Sequence, residues 1–214
     1  MDMAMLDLFI ASFVTLFVVI DALGVAPIFA TLTAGASAAH SRNMAIRGTL
    51  YAAGLLLGFA WGGEWLLSRM GVSLDAFRVA GGLLLLLMSI EMLFEKRQAR
   101  RENRAETMLE DESGPEDISV FPLAIPLLAG PGSIAAVMIF MSQHHGQPLA
   151  QLVIVSAVLA NLLIALIMLL IAPWLLRVMG HTVGALITRV FGVILAALSV
   201  QLIFDGVKNV FFGS

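Results

Sequence analysis

Six stretches of the chain, near 6–33, 46–67, 77–94, 119–142, 149–172 and 186–211, are apolar almost throughout. Each is close to the roughly 20 residues that a helix needs to cross a hydrocarbon core of about 30 Å. A globular core of 214 residues has no use for runs of that length, and 60% of the residues are hydrophobic against 13% charged. The sequence therefore predicts an all-α membrane protein of six transmembrane helices in one polytopic domain, with the lipid bilayer as its surroundings. Asp2 and Asp7 stand where a cleaved leader carries positive charge, so the first helix is expected to stay.

Composition also removes several functions. Without cysteine there is neither a disulfide nor thiolate chemistry, and a net charge of -3 gives no reason to expect nucleic acid. No phosphate-binding Gly-x-x-x-x-Gly-Lys run, dinucleotide fingerprint, His-Glu-x-x-His or Gly-x-Ser-x-Gly elbow occurs, so the chain reads as neither an ATP-driven pump nor an enzyme. No cofactor and no metal site is expected. His144 and His145 are adjacent in "SQHHGQP", but further ligands are missing and a solvated loop is the better reading.

Lys and Arg set the expected orientation, because retained cytoplasmic loops carry the positive excess. The segments after helices 1, 3 and 5 hold Arg42, Arg47, Lys96, Arg97, Arg100, Arg101, Arg104 and Arg177. Both termini are then expected outside the cytoplasm, in a cell (inner or plasma) membrane. The 98–117 loop, basic and then acidic, is expected to be a cytoplasmic connector.

An internal repeat is also visible. "WLLSRMG" at 65–71 returns as "WLLRVMG" at 174–180, "RVAG" at 78–81 as "RVFG" at 189–192, and "DALGVAPIF" at 21–29 aligns with "IPLLAGPGS" at 125–133. The offset drifts from 104 residues (Pro27 to Pro131) to 109 (Trp65 to Trp174) to 111 (Arg78 to Arg189). Three spans per unit force the second copy to enter the membrane from the opposite face. The expected plan is two inverted three-helix repeats, 1–97 and 118–214, an arrangement common among secondary transporters.

Both copies interrupt an apolar helix with proline and glycine, which remove a backbone donor and loosen the chain. Unpaired backbone groups in hydrocarbon cost several kcal/mol each, so such breaks belong against protein or a watery cavity. Helices 1 and 4 are thus expected to be broken, at Asp21–Pro27 and within "PLAIPLLAGPGS" at 122–133. In the first copy, residues 6–32 as one straight helix would reach about 40 Å at 1.5 Å per residue, beyond the bilayer core; a break or a steep tilt would resolve this.

Asp21 is the most informative residue, since a carboxylate near mid-membrane needs a partner or water. It is read as a coupling group or a grip for a substrate ammonium, and equally as an N-cap for the half-helix that follows. Gly24, Pro27, Gly130, Pro131 and Gly132 are candidate substrate-lining positions; their plain alternative is a kink or close helix packing. Ser133 could add a hydroxyl to the second break or bond to backbone. Asn161 lies mid-span and serves as interhelical glue or a substrate contact. Arg78 and Arg189, at matching places in the repeats, are candidate gating residues or snorkelling cations.

The motifs "DALGVAPIF", "FRVAGGLLLL", "PLAIPLLAGPG" and "RVFGVILAALSVQLI" together resemble the MarC-related integral membrane proteins over essentially the whole chain. The family's first motif is Asp-Pro-x-Gly-x-x-Pro, and this chain has Ala22 at the first proline. The resemblance implies six spans, both termini outside, and a long cytoplasmic loop between spans 3 and 4. It also implies small neutral amino acids such as glycine and alanine as cargo, moved by alternating access with H⁺ or Na⁺ coupling. A non-transporting scaffold acting through the 98–117 loop, or a carrier of another metabolite or drug, is the alternative. Packing through small residues leaves a homo-oligomer open.

Overall fold

The computed structural model describes residues 3–94, 117–178 and 180–212. The basic stretch expected at 96–104, and the loop up to 116, lie outside the described residues. All described elements are helical, and there is no strand among the described residues. In chain order they are α1 (Met3–Ile20), α2 (Ala22–Leu32), α3 (Ala38–Arg69), α4 (Leu74–Leu93), α5 (Ser119–Leu128), α6 (Pro131–Gln143), α7 (Pro148–Leu170), α8 (Ala172–Val178) and α9 (Gly180–Phe212).

Five helical stretches are long and apolar enough to cross a bilayer, and α5 with α6 makes a sixth if that pair, bent by 58°, is one span. The apolar windows understate the helices. Ser37 caps α3 by accepting from the His40 N–H at 3.2 Å, nine residues before the predicted run, and Ser73 caps α4 through the Ala76 N–H at 3.2 Å. Hydropathy falls where a helix leaves the hydrocarbon, whereas the backbone ladder continues into the interface.

The two breaks are built differently. In the first, a single residue, Asp21, interrupts the helix, and α1 with α2 runs on as one apolar stretch of 30 residues. Pro27 stays inside α2 and does not break it, so the expected break over Asp21–Pro27 contracts to its first residue. The second is longer than the first. In "FPLAIPLLAGP" the residue before each internal proline is extended, Phe121 at φ -130, ψ 125 and Ile125 at φ -125, ψ 124, as proline demands of its predecessor. Widened bonds from Leu123 N–H to Ile118 O (3.2 Å) and from Ala129 N–H to Ala124 O (2.9 Å) bridge the distortion. The irregular backbone therefore begins near Pro122, well before Gly130.

Ends of elements meet as alternating spans require. Arg47 near the start of α3 pairs with Asp117, just before α5, at 2.7 Å. At the other end, Glu64 of α3 lies 3.9 Å from His145 in the turn between α6 and α7. Beside Arg47, Gly48 lets α5 sit close: a Cβ there would stand 2.9 Å from the Ser119 carbonyl and would overlap Leu123.

Two apolar cores result. The larger joins α1, α2, α3, α5, α6, α7 and α8 through residues such as Leu16, Phe29, Leu56, Leu128, Val137 and Ile154. The smaller joins Val18 and Val19 of α1 to Leu85 and Met92 of α4 and Leu195 of α9. Leu83, Leu87, Val193 and Phe204 are exposed on α4 and α9, the pattern of helices bathed in lipid.

Candidate functional site

Asp21 has φ 54 and ψ 56, and it alone among the described non-glycine residues takes a positive φ. A left-handed aspartate is disfavoured by about 1–2 kcal/mol, and a local hydrogen bond from its short side chain offsets part of that. Its Oδ1 accepts the Gly24 N–H at 3.2 Å, while its carbonyl accepts from Gly24 and Val25, each at 3.0 Å. Its own N–H donates to Phe17 O at 3.1 Å, so both half-helices stay bonded to the residue between them. Only 3% of Asp21 is exposed.

Gly24 is part of the same device. A Cβ at that position would lie 2.9 Å from the Asp21 carboxyl carbon, so the cap forms only because residue 24 has no side chain. Ala22 occupies the first position of α2, where proline is favoured because its missing N–H is not needed. The interruption accordingly survives with alanine there. Pro27 is half-buried one turn further on, and its carbonyl accepts from Thr31 Oγ1 at 3.1 Å.

At the second break Gly130 flanks the start of α6 at φ -78, ψ 169, and Pro131 takes the first helical position. A Cβ on Gly130 would lie 2.8 Å from the Pro126 carbonyl, so this glycine serves the bend itself. Pro131 is exposed. Ser133 is buried and its hydroxyl donates to Leu128 O at 3.0 Å, tying α6 back to the segment it bends away from. No side chain caps the start of α6, in contrast to α2.

The two broken spans touch. A Cβ on Gly132 would come within 3.1 Å of Val19 Cγ1, two residues before Asp21, and would overlap the Met88 thioether of α4. Gly132 of the second break thus packs against α1 just before the first, with Met88 reaching in from a third helix. Sequence reading missed Met88, whose only signal is a flexible side chain amid the leucines of α4.

Other candidates lie apart. Asn161 donates to Phe13 O at 3.1 Å and to Ala157 O at 2.9 Å, which bolts α7 to α1 about 12 Å up the helix from Asp21 at 1.5 Å per residue. Its Oδ1 is buried and has no hydrogen-bond partner among the described residues. Arg78 Nη1 donates to Asp75 Oδ1 at 3.1 Å, and Asn209 of α9 donates to the same oxygen at 3.1 Å. Arg189 is exposed on α9.

Outside the membrane span, Asp117 accepts from the Ser119 N–H at 3.1 Å. Hydrogen bonds from Ser119 and then the charge of Arg47 hold its carboxyl below the usual carboxylate range. No group of three His, Cys, Asp or Glu poised for a metal ion occurs among the described residues.

The sequence profile of the MarC family of integral membrane proteins matches residues 6–211. The chain is 38% identical over 204 residues to a UPF0056 membrane protein of Methanocaldococcus jannaschii, covering 95% of this chain and 98% of the relative. It is 35% identical to a UPF0056 membrane protein of Archaeoglobus fulgidus, over 98% of this chain and 97% of that one. To the UPF0056 membrane protein YhcE of Escherichia coli it is 32% identical, over 94% and 92%. No solved structure matches the chain.

Proposed function

The chain belongs to the MarC family of integral membrane proteins, and from that membership and the meeting of its two broken spans we infer that it is a secondary transporter. Its cargo in this reading is small neutral amino acids of the glycine and alanine type, carried by alternating access with H⁺ or Na⁺ coupling. The contact of Val19 with Gly132, beside a buried carboxylate, carries the reading. A charge in the hydrocarbon region and irregular backbone are each costly there and are tolerated around an internal site.

The chemistry follows from the two half-helix ends. Asp21 already satisfies the start of α2, so that end offers a carboxylate to an ammonium group or coupling ion. The start of α6 has no side-chain cap and offers N–H groups to a carboxylate. A zwitterion with a small side chain matches this polarity. Gly130 and Gly132 are already in tight contact, so space for cargo must open when α4 and Met88 move.

The element order is compatible with the expected inverted repeat and with this reading: each half has an interrupted helix, a long helix and then α4 or α9. The membrane is the cell membrane, with both termini outside the cytoplasm. The test is uptake of labelled glycine and alanine by proteoliposomes under imposed H⁺ or Na⁺ gradients, with wild type and Asp21→Asn compared. Gradient-driven uptake by wild type, lost in the variant, is the expected result. No uptake by folded wild type under any gradient would overturn the reading.

A further inference from the structure

Helices α4 and α9 meet along a seam of three glycine-to-carbonyl contacts. A Cβ on Gly206 would lie 3.0 Å from Asp75 O, one on Gly82 would lie 3.0 Å from Ser199 O, and one on Gly192 would lie 3.1 Å from Ser89 O. On α4 these levels fall at 75, 82 and 89, and on α9 at 206, 199 and 192, so the helices run antiparallel and meet every seventh residue. Each level sets a glycine of one helix against a backbone carbonyl of the other, the closest approach two helices make and one that suits Cα–H···O contacts. At one end the Asn209 side chain donates to Asp75 across the seam at 3.1 Å.

The pair faces the rest of the protein differently. Its contacts there include side-chain packing: Gly81 against Ala135 and Ile139, Met88 against Gly132, and Phe191 edge-on to Phe17 with centroids 5.5 Å apart. The pair belongs to the smaller core, in which it packs against Val18 and Val19 of α1. Before α4 the chain turns at 70–73, with Gly71 at φ 71. Apolar side-chain packing between helices has little hydrophobic drive inside a bilayer and can re-form in a second register, whereas a backbone-to-backbone seam has no rotamers to rearrange.

We propose that α4 and α9 move as one rigid arm against the other helices, with Met88 on that arm opening and closing the crossing of the two breaks. The inference rests on the transport reading and adds to it which part moves and where the joint lies.

The absence of native cysteine makes the test direct. Gly81→Cys with Ala135→Cys bridges arm and body, since the two Cβ positions lie 3.5 Å apart. Met92→Cys with Gly192→Cys bridges the arm internally at 3.2 Å. Oxidation of the first pair should cut uptake at least about tenfold, restored by reductant, and oxidation of the second should leave it within about twofold of the reduced protein. Equal inhibition by both bridges, or by neither, would overturn the arm.

A transport-independent readout separates this from failure of the transport reading. Spin labels at exposed Leu84 of α4 and Leu159 of α7 should show two distance populations, whereas labels at Leu84 and Val193 of α9 should show one narrow population. Two populations within the α4 and α9 pair, or a single one between Leu84 and Leu159, would contradict the proposal whether or not wild type transports amino acids.

Discussion

Replacing Gly24 by alanine should reverse its effect on stability according to what stands at position 21. In the wild-type chain the new methyl would lie 2.9 Å from the Asp21 carboxyl carbon, so the carboxylate must leave the Gly24 N–H that it caps at 3.2 Å. Losing such a cap costs about 1 kcal/mol, and crowding a packed, buried position adds about 1–3 kcal/mol. Alanine in place of glycine within a helix gives back up to about 1 kcal/mol. The net expectation is destabilisation of about 1–3 kcal/mol. In an Asp21→Gly background the carboxylate is absent and glycine accepts the positive φ, so the same change should be neutral or stabilising by up to about 1 kcal/mol. Unfolding of the four proteins in mixed micelles, by titration with a denaturing detergent, gives the coupling directly. A coupling above about 1 kcal/mol is expected. Equal costs of Gly24→Ala in both backgrounds would refute the view that Asp21 and Gly24 form one device.

Glycines elsewhere should sort by what a methyl would meet. Gly82→Ala and Gly192→Ala push carbonyls of a packed seam and should each cost about 1–3 kcal/mol, while Gly54→Ala and Gly58→Ala, with open space around them, should be neutral or mildly stabilising in the same unfolding assay. Ser133→Ala removes the bond to Leu128 O and should cost about 1 kcal/mol; an unchanged unfolding midpoint would count against that bond. Asn161→Leu abandons the donors to Phe13 and Ala157 and should cost about 0.5–2 kcal/mol, read the same way. The Asp117 carboxyl is held below its unfolded range by Ser119 and Arg47, so its stabilising contribution is present above the ordinary carboxylate range and is lost as pH falls through the lowered folded value. Because the pair is exposed the effect should be small and weakened by salt, and Asp117→Asn should flatten this part of the acid limb of stability against pH.

Much of the fold is legible in the sequence because lipid imposes a single length rule on every span. The apolar windows place five helical stretches and the broken sixth. They miss the early start of α3, since Ser37 caps a turn that lies beyond the hydrocarbon, and they do not separate α8 from α7. The breaks are announced by proline and glycine, but their details depend on tertiary packing. Pro27 remains helical because the break is already made at Asp21, whereas both prolines of "FPLAIP" distort the chain, which the stretch 122–133 does announce. The partners of the glycines are invisible in one dimension: Gly132 looks the same on paper whether it faces cargo or Met88. The sevenfold spacing of Gly82 and Ser89, and of Gly192, Ser199 and Gly206, is readable and points to the α4 and α9 seam. The ties from Arg78 to Asp75 and from Asn161 to Phe13 needed the third dimension.

The central claim is that the crossing of the two breaks opens to water and holds small amino acids. Its most direct test is the alkylation rate of a single cysteine at position 133, in the Ser133→Cys protein reconstituted in liposomes. Ser133 is only 2% exposed in this structure, so labelling reports opening of the site. The account predicts labelling by a water-soluble thiol reagent that glycine and alanine slow and that bulky amino acids do not. A cysteine that never reacts, or one that reacts at the same rate with and without glycine and alanine, would contradict it.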